Sequence, residues 1–129
     1  ETWDDLLILR LDAPLTFINI QFFKEFIETR LTSANTPISK VIIDAGAISY
    51  LDASATQGLR DLLEYFDDQR IELLICDVKG PARDMMKRTQ LDELITHEHI
   101  FLDLDTAVRY ATNHEESPFK EITLQTNES

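Results

Sequence analysis

Short apolar runs at residues 6–11, 40–44, 71–76 and 100–102 alternate along this chain with stretches whose apolar residues recur three or four apart. Runs of that length, bounded by turn residues, read as buried strands. The stretches between them read as helices. Phe22, Phe23, Phe26, Ile27 and Leu31 form one apolar stripe, read as core, and Ala55, Leu59, Leu62, Leu63 and Phe66 form another. Parallel neighbours must be joined by long crossovers, usually helical, so the alternation restricts the chain to an α/β architecture. The expectation is a single domain with a mixed, mostly parallel central sheet and about four helices. With 129 residues, 43% of them hydrophobic, one such core can be filled.

The boundaries follow from punctuation residues. Asp12-Ala13-Pro14 ends the first strand, and residues 15–18 read as a short second one. Asn19 stands where it can cap the first helix, and the turn cluster 33–39, with Asn35 and Pro37, stops it. The second helix is expected over 53–69. Pro81 suits the first position of a third helix reaching Thr89. Asp103 or Asp105 opens a last helix through Ala107, Val108 and Ala111. From Glu115 onward the chain has four glutamates, one lysine and little apolar content, so the domain is expected over 1–114 and a disordered acidic tail over 115–129.

Charge and composition exclude several functions. Twelve Lys and Arg against 24 Asp and Glu give a net charge of −12, the wrong sign for neutralising nucleic-acid phosphates. The single cysteine, Cys76, has no disulfide partner within the chain and lies in an apolar run, so it reads as buried and reduced. No stretch approaches the roughly 18 consecutive apolar residues of a membrane span. His97 and His99 with Glu98 lack a further ligand, so no metal site is expected. Cys76 and the serines lack a recognisable nucleophile setting, and the three glycines are scattered at Gly46, Gly58 and Gly80. Neither an enzyme nor a cofactor is implied. The chain opens at Glu1 without an initiator methionine, and the expectation is a piece cut from a longer protein.

Three places carry candidate chemistry. In the stretch 41–59 a strand ends at Asp44, and Asp52 stands where a helix N-cap belongs, with Ser54 in the first turn. Free amides and the helix dipole there favour an anion or a phosphate. The partner- or anion-binding candidates are Ser49, Tyr50, Asp52, Ala53, Ser54, Thr56 and Gln57, with Tyr50 either exposed on the loop or packed beneath it. Asp12, Asp44 and Asp77 each follow a strand and would gather at one edge of the sheet, where carboxylates near Lys79 could hold magnesium as in a receiver domain. Lys79, Arg83, Lys87 and Arg88 are the single basic island; it reads either as a solvated helix face or as a contact for lipid phosphates or an acidic partner.

The order of these segments resembles the STAS domains of sulphate transporters and anti-sigma-factor antagonists, and within them the cytoplasmic C-terminal domain of SulP-type anion transporters. The likeness rests on residues 11–19 with their Pro14, Phe17 and Asn19, on 41–59, on 78–86 and on 100–108, and it covers about 6–112. In the antagonists a kinase phosphorylates the serine or threonine directly after the loop aspartate. That aspartate matches Asp52, but the acceptor position is Ala53, with Ser54 one residue further on and turned by about 100° around a helix. The resemblance therefore implies a noncatalytic regulatory or assembly module at the cytoplasmic face of a membrane. It implies contacts with the transmembrane domain of its own transporter, with a cytosolic regulatory protein, or with a second copy through the full-length transporter. A free-standing phosphoswitch using Ser54 and a nucleotide- or anion-sensing domain are the alternatives.

Overall fold

The computed structural model describes residues 2–3, 5–12, 14–16, 18–48 and 50–113, the side chains of residues 2, 3, 97 and 113 excepted. Its strands are β1 (Thr2–Trp3), β2 (Leu6–Arg10), β3 (Lys40–Asp44), β4 (Glu72–Cys76) and β5 (Ile100–Phe101). Its helices are α1 (Ile20–Thr32), α2 (Ala53–Asp68), α3 (Gly80–Arg88), α4 (Leu91–Ile95) and α5 (Leu104–Asn113). The acidic tail expected over 115–129 lies outside the described residues, as does the boundary drawn at 114.

The five strands form one sheet in chain order, with β1 antiparallel to β2 and every other pair parallel. Leu7, Val41 and Leu73 lie in one row, and Ile8, Ile42 and Leu74 in the next. Each crossover from β2 to β5 advances one strand in the same direction. Right-handed connections therefore place α1 to α4 on a single face. There Leu7, Leu9, Val41, Ile43, Leu73 and Ile75 meet Phe23, Ile27, Leu62, Phe66 and Met86. Alternate residues Leu6, Ile42, Leu74 and Cys76 point to the opposite face, where α5 covers them with Ala107 and Ala111. Their small side chains let the helix approach closely.

The α/β fold is thus the one the sequence dictates, with three local differences. Leu15, Thr16 and Ile18 lie in no strand, Leu15 making a parallel bridge to Leu51, and Phe17 lies outside the described residues. Among the described residues the α-helices number five, because α3 stops at Arg88 and Gln90 turns the chain at φ 63°, which folds buried Leu91 and Ile95 back onto the core as α4. β1 is a two-residue strand with no periodicity to announce it.

Cys76 is fully buried, and burial, reinforced by Asp44, Asp77 and Asp103, pushes its thiol up to about 12. The thiolate needed for redox or nucleophilic chemistry is therefore not populated at neutral pH. On the α5 side, the Tyr110 hydroxyl donates to Glu72 Oε2 at 2.8 Å, and His99 Nε2 meets the same oxygen at 2.6 Å. Burial first, and then the Glu72 hydrogen bond and charge, raise the Tyr110 phenol to about 12. The folded state thus holds the phenolic proton more tightly than the unfolded chain, whose phenol titrates near 10. The stability from this contact is complete below pH 10 and declines as pH rises from about 10 toward 12. Urea unfolding across that window should show a steeper loss for the native chain than for Tyr110→Phe; equal slopes would refute the contact.

Candidate docking site

Two loops at the carboxyl edge of the sheet are laced together. Leu15 N–H donates to the Tyr50 carbonyl at 2.8 Å, and Asp52 N–H donates to the Leu15 carbonyl at 3.1 Å. Asn19 fastens the first loop from inside. Its Oδ1 accepts from Thr16 N–H at 2.9 Å and its Nδ2 donates to the Pro14 carbonyl at 2.7 Å. Asn19 sits at the N-cap position of α1 but makes no side-chain cap bond, because its amide is committed to the loop. The cap expected there is thus a loop clasp.

Asp52 does cap α2. With extended backbone at φ −92° and ψ 167°, it offers Oδ1 to Ala55 N–H at 2.7 Å. Its carboxylate places a negative charge at the helix start, where the sequence allowed an anion to dock. Loss of a capping side chain typically costs about 1 kcal/mol. Asp52→Ala should lower unfolding free energy by about that amount, with Asp52→Asn close to neutral; a native-like urea midpoint for Asp52→Ala would contradict the cap.

Around this cap the structure sorts the candidates. Ala53, Ser54 and Gln57 are exposed on α2, and Tyr50 is 48% exposed, which settles its two readings in favour of the surface. Thr56 is not part of that surface. It is 2% exposed and its hydroxyl donates to the Ala53 carbonyl at 2.6 Å, so the polar group is satisfied inside the first turn. Ser49, like Ala13 and Phe17 of the neighbouring loop, lies outside the described residues.

A second component went unread in the sequence. Phe22 and Phe26, taken as core with Phe23, are 72% and 41% exposed, and Ile18 is 77% exposed. Only Ile20, Phe23 and Ile27 of the first helix are buried. The signal was present: positions 18, 22 and 26 recur at intervals of four, on an arc separate from 20, 23 and 27. Helix α1 lies against α2, and Lys24 Nζ reaches Asp61 Oδ2 at 3.6 Å while Gln57 Nε2 donates to Asp61 Oδ1 at 3.2 Å. At the start of the pair, Ile20 packs on Gly58.

The other clusters separate. Arg10 contacts both Asp12, at 2.8 Å, and Asp44, at 3.4 Å, while Lys79 lies 3.4 Å from Asp77. The acidic edge is therefore internally matched with cations. Among the described residues, no group of three or more His, Cys, Asp or Glu side chains could hold a metal ion. The basic island divides along α3: Lys79 and Arg83 face the edge of the sheet, whereas Lys87 and Arg88 end the helix and complement its dipole.

Comparison with known proteins gives these features a family. The STAS domain family model matches residues 1–107. The chain is 27% identical over 126 residues to a protein named probable sulfate transporter 4.2 from Arabidopsis thaliana, covering 91% of this chain but only 19% of that protein. Among solved structures, a SulP transporter STAS domain from Vibrio cholerae superimposes with TM-score 0.70 at 16% identity, covering 97% of this chain and 89% of the other. A putative anti-sigma factor antagonist from Thermotoga maritima does so with TM-score 0.71 at 14% identity, covering 84% and 89%. At such identities the two structures share the fold with this chain.

Proposed function

The chain belongs to the STAS domain family, and from that membership we propose that it is a noncatalytic regulatory and assembly module of a SulP-type inorganic anion transporter. Its docking surface joins the Asp52 loop and the exposed face of α2 to the outer stripe of α1. The observation that carries this reading is the set of solvent-exposed apolar side chains Ile18, Phe22, Phe26 and Tyr50 on and beside two interlocked loops. Apolar side chains grouped in this way mark interaction surfaces. Charge supports a basic partner: cytoplasmic loops of membrane proteins carry an excess of Lys and Arg, and this chain carries −12. The transmembrane domain of its own transporter is the partner that satisfies both. Among the described residues no helix is long and apolar enough to cross a membrane, so the permeation path would belong to other segments.

In the full-length transporter, Phe22→Asp combined with Ile18→Asp should reduce anion uptake by about tenfold or more, and abolish cross-linking between this surface and the membrane domain, while the isolated chain keeps its unfolding midpoint. Native uptake and cross-linking in that variant would refute the surface. A phosphoswitch is the second reading, favoured by the exposure of Ser54 in the first turn of α2, where the helix dipole would stabilise a phosphate. Phosphopeptide mass spectrometry on protein from cells in which transport is being regulated separates the two; an unmodified Ser54 removes the second.

A further inference from the structure

Away from the docking surface, the β4–α3 junction and β5 line a half-open cavity of about 290 Å³. Asp77, Lys79 and Arg83 supply its polar lining, and Val78, Phe101 and Leu102 an apolar wall. Lys79 and Asp77 are matched to each other at 3.4 Å. Among the described residues Arg83 has no such match. It is half-buried, it makes no ion pair or hydrogen bond among the described residues, and its Nε is a buried nitrogen without a partner. A charged donor taken from water and left without an acceptor is costly, and its complement is an oxyanion. Leu102, at the rim, is 84% exposed, so the wall beside the guanidinium is unsatisfied too.

We infer that this cavity binds a small monocarboxylate carried on an apolar body. The planar guanidinium fork suits the two oxygens of a carboxylate, a fit a point charge would not give. Charge sets the valence: with Lys79 neutralised by Asp77, the lining carries one net positive charge, which a monoanion cancels. The cavity lies at the small end of ligand pockets, and its apolar wall receives a hydrocarbon or aromatic body rather than a hydrated inorganic ion. The site lies at the carboxyl end of parallel strands, where open α/β sheets gather their ligands. It stands independently of the transporter reading, since it uses β4, α3 and β5 and not the docking face.

Titration of the ¹⁵N-labelled 129-residue chain with benzoate tests the site by NMR. The amides of Lys79, Arg83, Phe101 and Leu102 and the Arg83 Nε–H resonance should shift saturably. Benzamide, of the same shape without the charge, and sodium chloride at equal ionic strength should leave them in place. Arg83→Gln should raise the Kd about tenfold or more, equivalent to about 1.4 kcal/mol. Leu102→Ser, at a rim position whose change spares the core, should raise it about threefold and keeps the test decisive if Arg83→Gln misfolds. Equal shifts with benzamide or sodium chloride, or native titrations in both variants, overturn the inference.

Discussion

Phe66→Ala should lower the unfolding free energy by about 3–5 kcal/mol, whereas Phe22→Ala should change it by no more than about 0.5 kcal/mol. Both phenylalanines stand on amphipathic helices. Phe66 is 1% exposed, at the centre of the face that α2 turns to the sheet, and its truncation leaves a cavity that rigid strands β3 and β4 cannot close. Phe22 is 72% exposed, so its removal empties nothing. Domains of this kind have total stabilities of about 5–15 kcal/mol, so Phe66→Ala should leave the chain marginal, with Tm lower by something on the order of 10–20 °C. Urea unfolding followed by circular dichroism measures both. A loss below about 1 kcal/mol at Phe66, or above about 2 kcal/mol at Phe22, would show that the buried and exposed faces are assigned wrongly. The neutrality of Phe22 has a functional corollary: an exposed aromatic that contributes nothing to folding is available to a partner.

The second large effect is expected at Gly58. This glycine lies inside α2, where replacement by alanine would ordinarily stabilise by about 1 kcal/mol through helix propensity. Here a Cβ would overlap Ile20 Cγ1, far inside van der Waals contact, and Ile20 is itself held in the core at 8% exposure. Gly58→Val should therefore destabilise by about 2–4 kcal/mol, since overpacking forces the two helices apart and the branched side chain adds no compensating propensity. The decisive measurement is a double-mutant cycle. Ile20→Ala removes the obstructing atoms, so Gly58→Ala should cost measurably less in that background than in the native one. Additive effects would place the two side chains apart. Because Gly58 stands one turn beyond Ser54 and directly follows Gln57, the same substitution should also displace α1 against the capped start of α2 and misalign the two halves of the docking surface.

Legibility in the sequence followed the strength of the periodic signal. Lys40–Asp44 and Glu72–Cys76 were readable because strands buried on both faces need continuous apolar residues, with no competing helical pattern. Asp52 was readable because capping is local: the side chain and the amide it accepts from are three residues apart. Asn19 has the same local chemistry and was misread, since the choice between capping α1 and clasping Pro14 and Thr16 depends on a loop held from a distance by Tyr50 and Asp52. Thr56 looked like surface because it is polar, but its hydroxyl is satisfied by the helix backbone, which lets it point inward. The α1 stripe was overread. An arc containing positions 22, 23, 26 and 27 is wide enough to serve two faces, and only the neighbour that α1 packs against decides which residues remain outside.

By itself, then, the sequence determined the class of fold, the order of the four parallel strands and of α1, α2, α3 and α5 along the chain, the cap at Asp52 and the family to which these motifs are similar, but it announced neither β1 nor α4. Each of these depends on contacts between residues near in the chain, or on a period that survives without knowing the neighbours. The tertiary structure alone decided that loops 14–16 and 50–52 interlock, that Ile18, Phe22 and Phe26 remain exposed, and that Arg83 has no acceptor among the described residues. Those outcomes depend on the direction in which successive crossovers wind. With α1 to α4 all placed on one face of the sheet, each helix keeps an outer surface that no other described element covers.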